Sequence, residues 1–517
     1  MARGRKKKGV VVAVDLGNGT TLVATLLEDG HVEVIVDADG LTATPTLIAF
    51  QEGDPVRPLF GRAAGSYGKH HPEHLCSYSK RGRGETDLPG LVDKDGRAWN
   101  TEELEVMFVK WRLETAAELL GRPIAGVLAT VPACFDDVQR RATQDVFERA
   151  GYVCIGLCNE PTGAILGYAL GHDGTHAVTD IGAGTLDVSI VTVKDGTTFT
   201  ILATSGQDDL GGIEFTRLLV NHCVDLAAGK GVQLEPERDL RDLTMLEHAC
   251  EAAKIELSTQ DTTLITFRAR DQLLDVQISR AEFEQLAKPL CDQITAHVQH
   301  ALSQAGLEPG AVDGVIFAGG GSRVPCARVG IEALFGPDKI LRDIDPLPAV
   351  VTGAVHAASR KLTQHRLAGN TKLVESVPAW MLKGGVSLAE VTGQALGVEA
   401  VNTKTEEARL VPIVAQGTPL PASATKAFGV QGGEVAQTSP AVRVMEGEAF
   451  CSSDQARLLA EFKLNGLPAG PSEDRIEVTF AVDTNGLVEV HAMDAVSGTE
   501  LEGRVENACS VNQASLG

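Results

Sequence analysis

Two stretches of this chain share a pattern that few folds accommodate. "VVAVDLGNGTTLVATL", residues 11–26, is an apolar strand that breaks after Asp15 into Gly17, Asn18, Gly19 and Thr20 and then runs apolar again. "AVTDIGAGTLDVSIVTV", residues 177–193, does the same: a strand delivers Asp180, then come Gly182, Ala183, Gly184 and Thr185, and a returning strand carries Asp187. Either stretch alone reads as a β-hairpin, and Asn18-Gly19 is a strong hairpin signal. Two loops of the form Asp-Leu/Ile-Gly-x-Gly-Thr, more than a hundred residues apart, suggest duplicated halves facing each other across a cleft.

Such loops suit a polyphosphate. Glycine lets backbone amides approach phosphate oxygens with no Cβ in the way, and the hydroxyls of Thr20 and Thr185 add donors. The carboxylates of Asp15 and Asp180 would repel phosphate directly, so they imply a divalent cation held between, through its waters; hard oxygen ligands suit Mg²⁺. A third run, "VDGVIFAGGGSRVPCARVGIEALFG", follows a strand at 315–318 with Gly319, Gly320 and Gly321 and then opens a helix. Its glycines permit flat packing against a base or ribose, and a helix start favours an anion. Alone it would read as a tight strand-to-helix turn.

Strands rich in Gly and Val alternate with helical patterns over 10–360, which implies an α/β architecture. Asn100 with Glu103, and Ser279 with Glu282, predict capping boxes, and Gly121 predicts a helix stop. Residues 361–385 read as a connector. From 386 to 517 short strands with turn punctuation predict an all-β sandwich, with Asn485-Gly486 favouring a type I′ turn. The expected organisation is a basic disordered tail (1–9), an α/β domain (10–360), the connector and the sandwich.

A formal net charge of −23 argues against broad nucleic-acid binding, which relies on clustered Lys and Arg. Arg3, Arg5, Lys6, Lys7 and Lys8 crowd together as a solvated tail with no apolar region behind them, and no run approaches the ~20 apolar residues of a membrane span. Ten scattered cysteines without a C-x-x-C pair fit a reducing compartment, so a cytoplasmic location is expected. "KHHPEHLC" groups His70, His71, His74 and Cys76, but no second ligand pair at recognisable spacing supports a metal site there.

The two loops, "NEPTGAILGYAL", "LATVPACFDDVQRRATQDVF", "GQDDLGGIEF", "HACEAAKIELS" and "FAGGGSRVP" as a set resemble the seventy-kilodalton heat-shock chaperone family, DnaK-like. The resemblance implies an actin-like, duplicated ribonuclease H-like ATPase domain followed by a β-sandwich peptide-binding domain. It implies ATP/ADP and Mg²⁺ as cofactors, slow hydrolysis of ATP by water, and unfolded or extended polypeptides as clients. A J-domain co-chaperone and a nucleotide-exchange factor are the implied partners. By position, Lys80 matches a lysine that positions the attacking water and γ-phosphate. Glu160 and Asp180 match carboxylates near metal and water, and Asp187 one just beyond the second loop. Glu251, Lys254 and Ser258 match a helix contacting the nucleoside, joined by Gly320 and Arg323. Pro132 and Arg140 match a pair that relays nucleotide state toward the peptide domain.

Departures temper this. Asn18 replaces a threonine, Ile255 an arginine that stacks on adenine, and Leu347 and Pro348 an acidic pair; ATP binding is expected to survive with slow or altered hydrolysis. In the β half, "VRVMEGE", "FKLNGLP" and "IEVTFAVDTNGLVEVHAM" carry the resemblance. There Val442 falls among the pocket-lining positions and Pro440 where a β-branched residue is usual. The linker match "VSLAEV" offers Val386 and Leu388 before Glu390. With no helical segment after the sandwich, a lidless chaperone with fast client release is expected. The rivals are a lidless ATP-binding regulatory or scaffold protein with one dedicated partner and weak ATPase, and a small-molecule kinase on the shared fold.

Overall fold

The computed structural model describes residues 7–77, 80, 89–168, 172–342, 345–367, 369–382, 387–401, 407–429, 441–447, 449–453, 455–463, 474–500 and 503–505. Two compact units divide the chain. The first is Met1–Ala133, Thr143–Phe199 and Ala203–Ser387; the second is Leu388–Gly517 with the short segments Cys134–Ala142 and Thr200–Leu202.

The first unit is built from two sheets of matching design. In one, β1 (Val10–Leu16) is a buried run of β-branched residues lying antiparallel to β2 (Thr20–Leu26), which is followed by β3 (Val32–Val34). On its other side β1 runs parallel to β4 (Ile124–Val131), which pairs with β5 (Cys154–Asn159), giving the order β5-β4-β1-β2-β3. In the other, β6 (Gly174–Ile181) is antiparallel to β7 (Leu186–Lys194), which leads to β8 (Thr198–Gln207). Two further strands, β9 (Thr262–Ala269) and β10 (Gln272–Ser279), form a separate hairpin. β6 runs parallel to β11 (Gly314–Ala318), which pairs with β12 (Ile340–Leu341). Over these five strands the order β12-β11-β6-β7-β8 repeats β5-β4-β1-β2-β3, as the duplicated loops predict. Near-continuous apolar strands buried on both faces fit sheets covered by helices.

The helices are α1 (Gly61–Gly68), α2 (Thr101–Leu120), α3 (Asp137–Arg149), α4 (Glu160–Tyr168), α5 (Gly212–Gly229), α6 (Leu240–Leu257), α7 (Arg280–Ala305), α8 (Pro325–Phe335) and α9 (Pro346–Leu367). Both expected capping boxes form: Glu103 N–H donates to Asn100 Oδ1 at 2.8 Å and Glu282 N–H to Ser279 Oγ at 3.2 Å. Gly121 closes α2 in the left-handed conformation. α4 and α9 follow the edge strands β5 and β12 and pack on each other at glycines. A Cβ on Gly163 would lie 2.6 Å from Val350 O, one on Gly167 2.8 Å from Ala349 O, and one on Gly353 would clash with Gly163 O.

Within 361–385, α9 continues to Leu367, a short helix spans Thr371–Ser376, and Leu373, Val377 and Met381 are buried. Val11 N–H meets Met381 Sδ at 3.4 Å and Lys8 Nζ donates to Val377 O at 3.1 Å. Residues 1–6, with Arg3, Arg5 and Lys6, lie outside the described residues. The described cysteines are free thiols, and no described helix is long and apolar enough to cross a membrane.

The second unit is a two-sheet sandwich. β13 (Ala395–Val401) lies between β14 (Ala408–Val414) and the later strand Ala441–Gly447, which continues to Arg457–Lys463 and Gly503–Val505. Ala422–Phe428 pairs with Ile476–Val482, which pairs with Val488–Asp494 and onward to Thr499–Glu500. Val398, Val444, Phe462, Val478 and Phe480 fill the space between the sheets. The turn at 483–487 differs from type I′, which needs positive φ at both central residues. Here Gly486 has φ +77° and Asn485 does not take positive φ. Asp483 Oδ1 accepts from Asn485 N–H at 2.7 Å and Leu487 N–H at 2.9 Å, so the aspartate sets the turn.

Candidate active site

The two loops are hairpin turns and phosphate-loop candidates at once. Leu16 pairs with Thr21 and Ile181 with Leu186, leaving four residues in each turn. Gly17 N–H donates to Thr20 O at 3.1 Å, and Gly182 N–H to Thr185 O at 2.9 Å, the same closure twice. Neither Asn18 nor Gly19 takes positive φ, so this is not the two-residue Asn-Gly turn.

One cleft brings together most of the expected residues: Asp15, Gly17, Asn18, Gly19, Thr20, Lys80, Glu160, Asp180, Gly182, Ala183, Gly184, Thr185, Gly319 and Gly320. A Cβ on Gly19 would sit 2.8 Å from Ala183 Cβ, and one on Gly321 2.8 Å from Gly182 O. Gly19 therefore packs its bare Cα against the Ala183 methyl, and Gly321 packs against the backbone of the second loop. Gly319, at φ +74°, leaves no room for a Cβ beside Asp180 Oδ1. Gly319 is followed by a 3₁₀ turn, Gly320–Arg323, and α8 begins at Pro325.

At the cleft floor Lys80 Nζ donates to Glu160 Oε1 at 2.6 Å, both side chains buried. Asp15 accepts from Thr130 Oγ1 at 3.1 Å, and Asp187 Oδ1 from Ala133 N–H at 2.7 Å. Burial, reinforced by Glu160, pushes Asp15 up to about 7. Burial, reinforced by Glu160, Asp187 and Asp15, also pushes Asp180 well above the carboxylate range. So many buried carboxylates around one lysine leave negative charge that a cation would relieve. Asn18 is 5% exposed, and its Oδ1 has no partner among the described residues. An unbalanced acidic floor, an orphaned amide oxygen and a glycine-bare rim fit a metal-bound polyphosphate, and Asp15 and Asp180 are carboxylates of this floor that could hold its cation.

Glu251, Lys254 and Ser258 lie on and just after α6. Lys254 Nζ donates to Gly212 O at 2.9 Å, Thr216 Oγ1 at 3.0 Å and Glu251 Oε2 at 2.6 Å. Its three protons brace α6 against α5. Ser258 Oγ donates to Lys254 O at 3.2 Å, and Ile255 is 60% exposed. Arg323 pairs with Asp345 at 2.5 Å. Pro132 is buried beside Ala133, the donor to Asp187, and Arg140 Nε donates to Phe135 O at 2.9 Å. Val442 is half-buried against the sandwich core and faces Phe462 across the ladder. Pro440 and Val386 lie outside the described residues.

Sequence reasoning missed Thr130, the Ala133 amide, Gly211 and Val350 as parts of the site. A Cβ on Gly211 would lie 2.8 Å from the Ala183 carbonyl, and Gly212 N–H donates to Gly182 O at 3.0 Å, so the start of α5 clasps the second loop. The paired glycines of "DDLGGIEF" were the available signal. Leu347 and Val350 line the cleft from the start of α9.

Comparison with known proteins agrees with this architecture. The family model described as "Hsp70 protein" matches residues 11–516. The chain is 33% identical over 505 residues to the "Chaperone protein DnaK" of Thermosipho africanus (strain TCF52B), an alignment covering 96% of this chain and 79% of that one. That of Thermosipho melanesiensis (strain DSM 12029 / CIP 104789 / BI429) is 33% identical over 505 residues, covering 96% and 80%. That of Prochlorococcus marinus (strain MIT 9515) is 32% identical over 524 residues, covering 95% and 77%. With mirrored sheets, twin glycine turns and a match along nearly its whole length, the chain belongs to the Hsp70 family.

Proposed function

We propose that the ATP-dependent chaperone activity of this Hsp70-family ATPase runs on the buried floor between the two hairpin turns. The observation that carries the assignment is the Lys80–Glu160 pair at 2.6 Å, set in the same cleft as Asp15 and Asp180. Amides of 18–20 and 183–185 would cradle the phosphates of the nucleotide, while Gly17 N–H and Gly182 N–H close the turns. Mg²⁺, when bound, neutralises phosphate charge, and Asp15 and Asp180 are the residues to hold it through water.

Hydrolysis of this kind is positioning and charge stabilisation with no covalent intermediate. Lys80 orients the γ-phosphate and the attacking water, Glu160 holds Lys80, and Asp187 stays fixed by the Ala133 amide. Glu251, Lys254 and Ser258 form the nucleoside wall, with Gly320 and Arg323 opposite. Pro132, one residue before the amide that grips Asp187, begins the relay of nucleotide state, and Arg140 continues it. Extended, unfolded polypeptide is the client of the sandwich, with Val442 beside the bound chain and main-chain hydrogen bonds holding it. The working place is the cytoplasm, with a J-domain co-chaperone and an exchange factor as partners.

Single-turnover hydrolysis of ATP, with and without a J-domain protein, tests this. Lys80→Ala should retain Mg·ATP binding and lose hydrolysis by about a hundredfold or more, the scale of one lost electrostatic catalytic group. Unchanged turnover would remove Lys80 from its role.

A further inference from the structure

A second cavity, of about 650 Å³, lies between the end of α1, helix α6 and the β9–β10 hairpin, and shares no lining residue with the cleft. Its volume falls in the range of small-molecule sites, roughly 300–1,000 Å³. Its charge runs against the chain. With 69 acidic residues to 46 basic ones overall, Lys69, Arg241 and Arg268 converge on this one cavity. Among the described residues none of the three is in an ion pair, whereas nearby Arg270 pairs with Asp239 at 2.9 Å and Arg280 with Asp261 at 3.3 Å.

Asp242, the one carboxylate in the described lining, already accepts from Arg270 N–H at 2.8 Å. Arg241 Nη2 meets His70 Nδ1 at 3.4 Å, which leaves further guanidinium donors unspent. The lining also presents apolar surface to solvent: Leu273 is 72% and Met245 39% exposed. Leu273 sits directly opposite Arg268 in the hairpin register, so the cationic and apolar elements are neighbours.

We propose that this cavity binds a small phosphomonoester with an apolar body, at a site separate from the ATP cleft. A dianion answers the two positive charges by which Lys69, Arg241 and Arg268 exceed Asp242 in this lining, through charge-assisted hydrogen bonds, for which guanidinium is suited. The volume exceeds what free phosphate fills, and Leu273 and Met245 give the remainder of the molecule an apolar wall. The inference does not rest on the chaperone reading.

Calorimetric titrations of phenyl phosphate into the full chain, alone and saturated beforehand with Mg·ADP, test it. One phenyl phosphate per chain is expected, about tenfold tighter than inorganic phosphate because the ring is buried. The double substitution Arg241→Ala, Arg268→Ala should weaken it about tenfold or more, while the Mg·ADP response, which reports the fold, stays intact. Four results would overturn the proposal: no saturable heat at millimolar phenyl phosphate, heat that Mg·ADP abolishes, inorganic phosphate binding as tightly, or unchanged binding in the double variant.

Discussion

Asp15 shows how a residue can cost the fold stability in order to serve a ligand. Its carboxyl is raised from 3.8 to about 7 by burial and by Glu160. The unfolded chain therefore releases this proton first as pH rises, and stability from this group, complete below pH 3.8, is lost by about pH 7. Asp15→Asn should stabilise the ligand-free protein at pH 8 by roughly 2–4 kcal/mol and remove most of the thermal shift produced by Mg·ATP. Melting curves with and without the nucleotide read both effects; a destabilised variant with a full shift would contradict them. His176, on β6, carries the opposite titration. It is 5% exposed, neither ring nitrogen has a partner among the described residues, and burial lowers its pKa below 6.5. Here the unfolded state gains the proton first as pH falls, so stability present above pH 6.5 declines below it. In denaturant titrations between pH 7 and about 5.5, His176→Leu should flatten that decline, and a slope identical to the parent's would refute the assignment.

At the level of elements, the crossing of α4 and α9 is the most exacting joint. Gly353→Ala puts a methyl into Gly163 O with backbone on both sides, so a loss of about 3 kcal/mol or more is expected, seen as a fall in the urea midpoint. Gly229, at the end of α5 with nothing within 4 Å of its Cβ position, is the control: Gly229→Ala should gain about 0.4–1 kcal/mol. Equal effects from the two would deny the crossing its role. This contrast also marks what a sequence discloses. Asn100, Glu103, Ser279, Glu282 and Gly121 signal their caps because a cap is decided within four residues. The twin turns are legible because each is one contiguous stretch, and duplication doubles the signal. Gly163 and Gly353 look like ordinary helix glycines, since each has meaning only against a partner 190 residues away. Thr130 and the Ala133 amide escape for the same reason: a hydroxyl near the end of β4 and a backbone N–H just beyond it meet Asp15 and Asp187, which are distant in sequence. The turn at 483–487 went to Asp483 because its side chain competes for the amides that Asn485-Gly486 patterning left out of account.

Across the whole molecule, two separate cores imply two responses. The sandwich closes around Val398, Val444, Val478 and Phe480, and the α/β unit around its two sheets. Scanning calorimetry should resolve two transitions, with Mg·ATP raising that of the α/β unit, because a ligand stabilises the species it binds. One transition moving as a whole would contradict separate cores. Peptide-library binding addresses the sandwich in turn: uptake of many short apolar peptides fits a chaperone, and indifference fits a single dedicated partner. The central claim, that a metal-bound triphosphate sits between mirrored glycine turns, is met most directly by titrating ATP into the chain in a calorimeter with magnesium present and then with it chelated. One ATP per chain is expected, with at least about tenfold weaker binding once the metal is removed, the scale of a lost charge-assisted contact. No heat with magnesium, or binding indifferent to its removal, would contradict it.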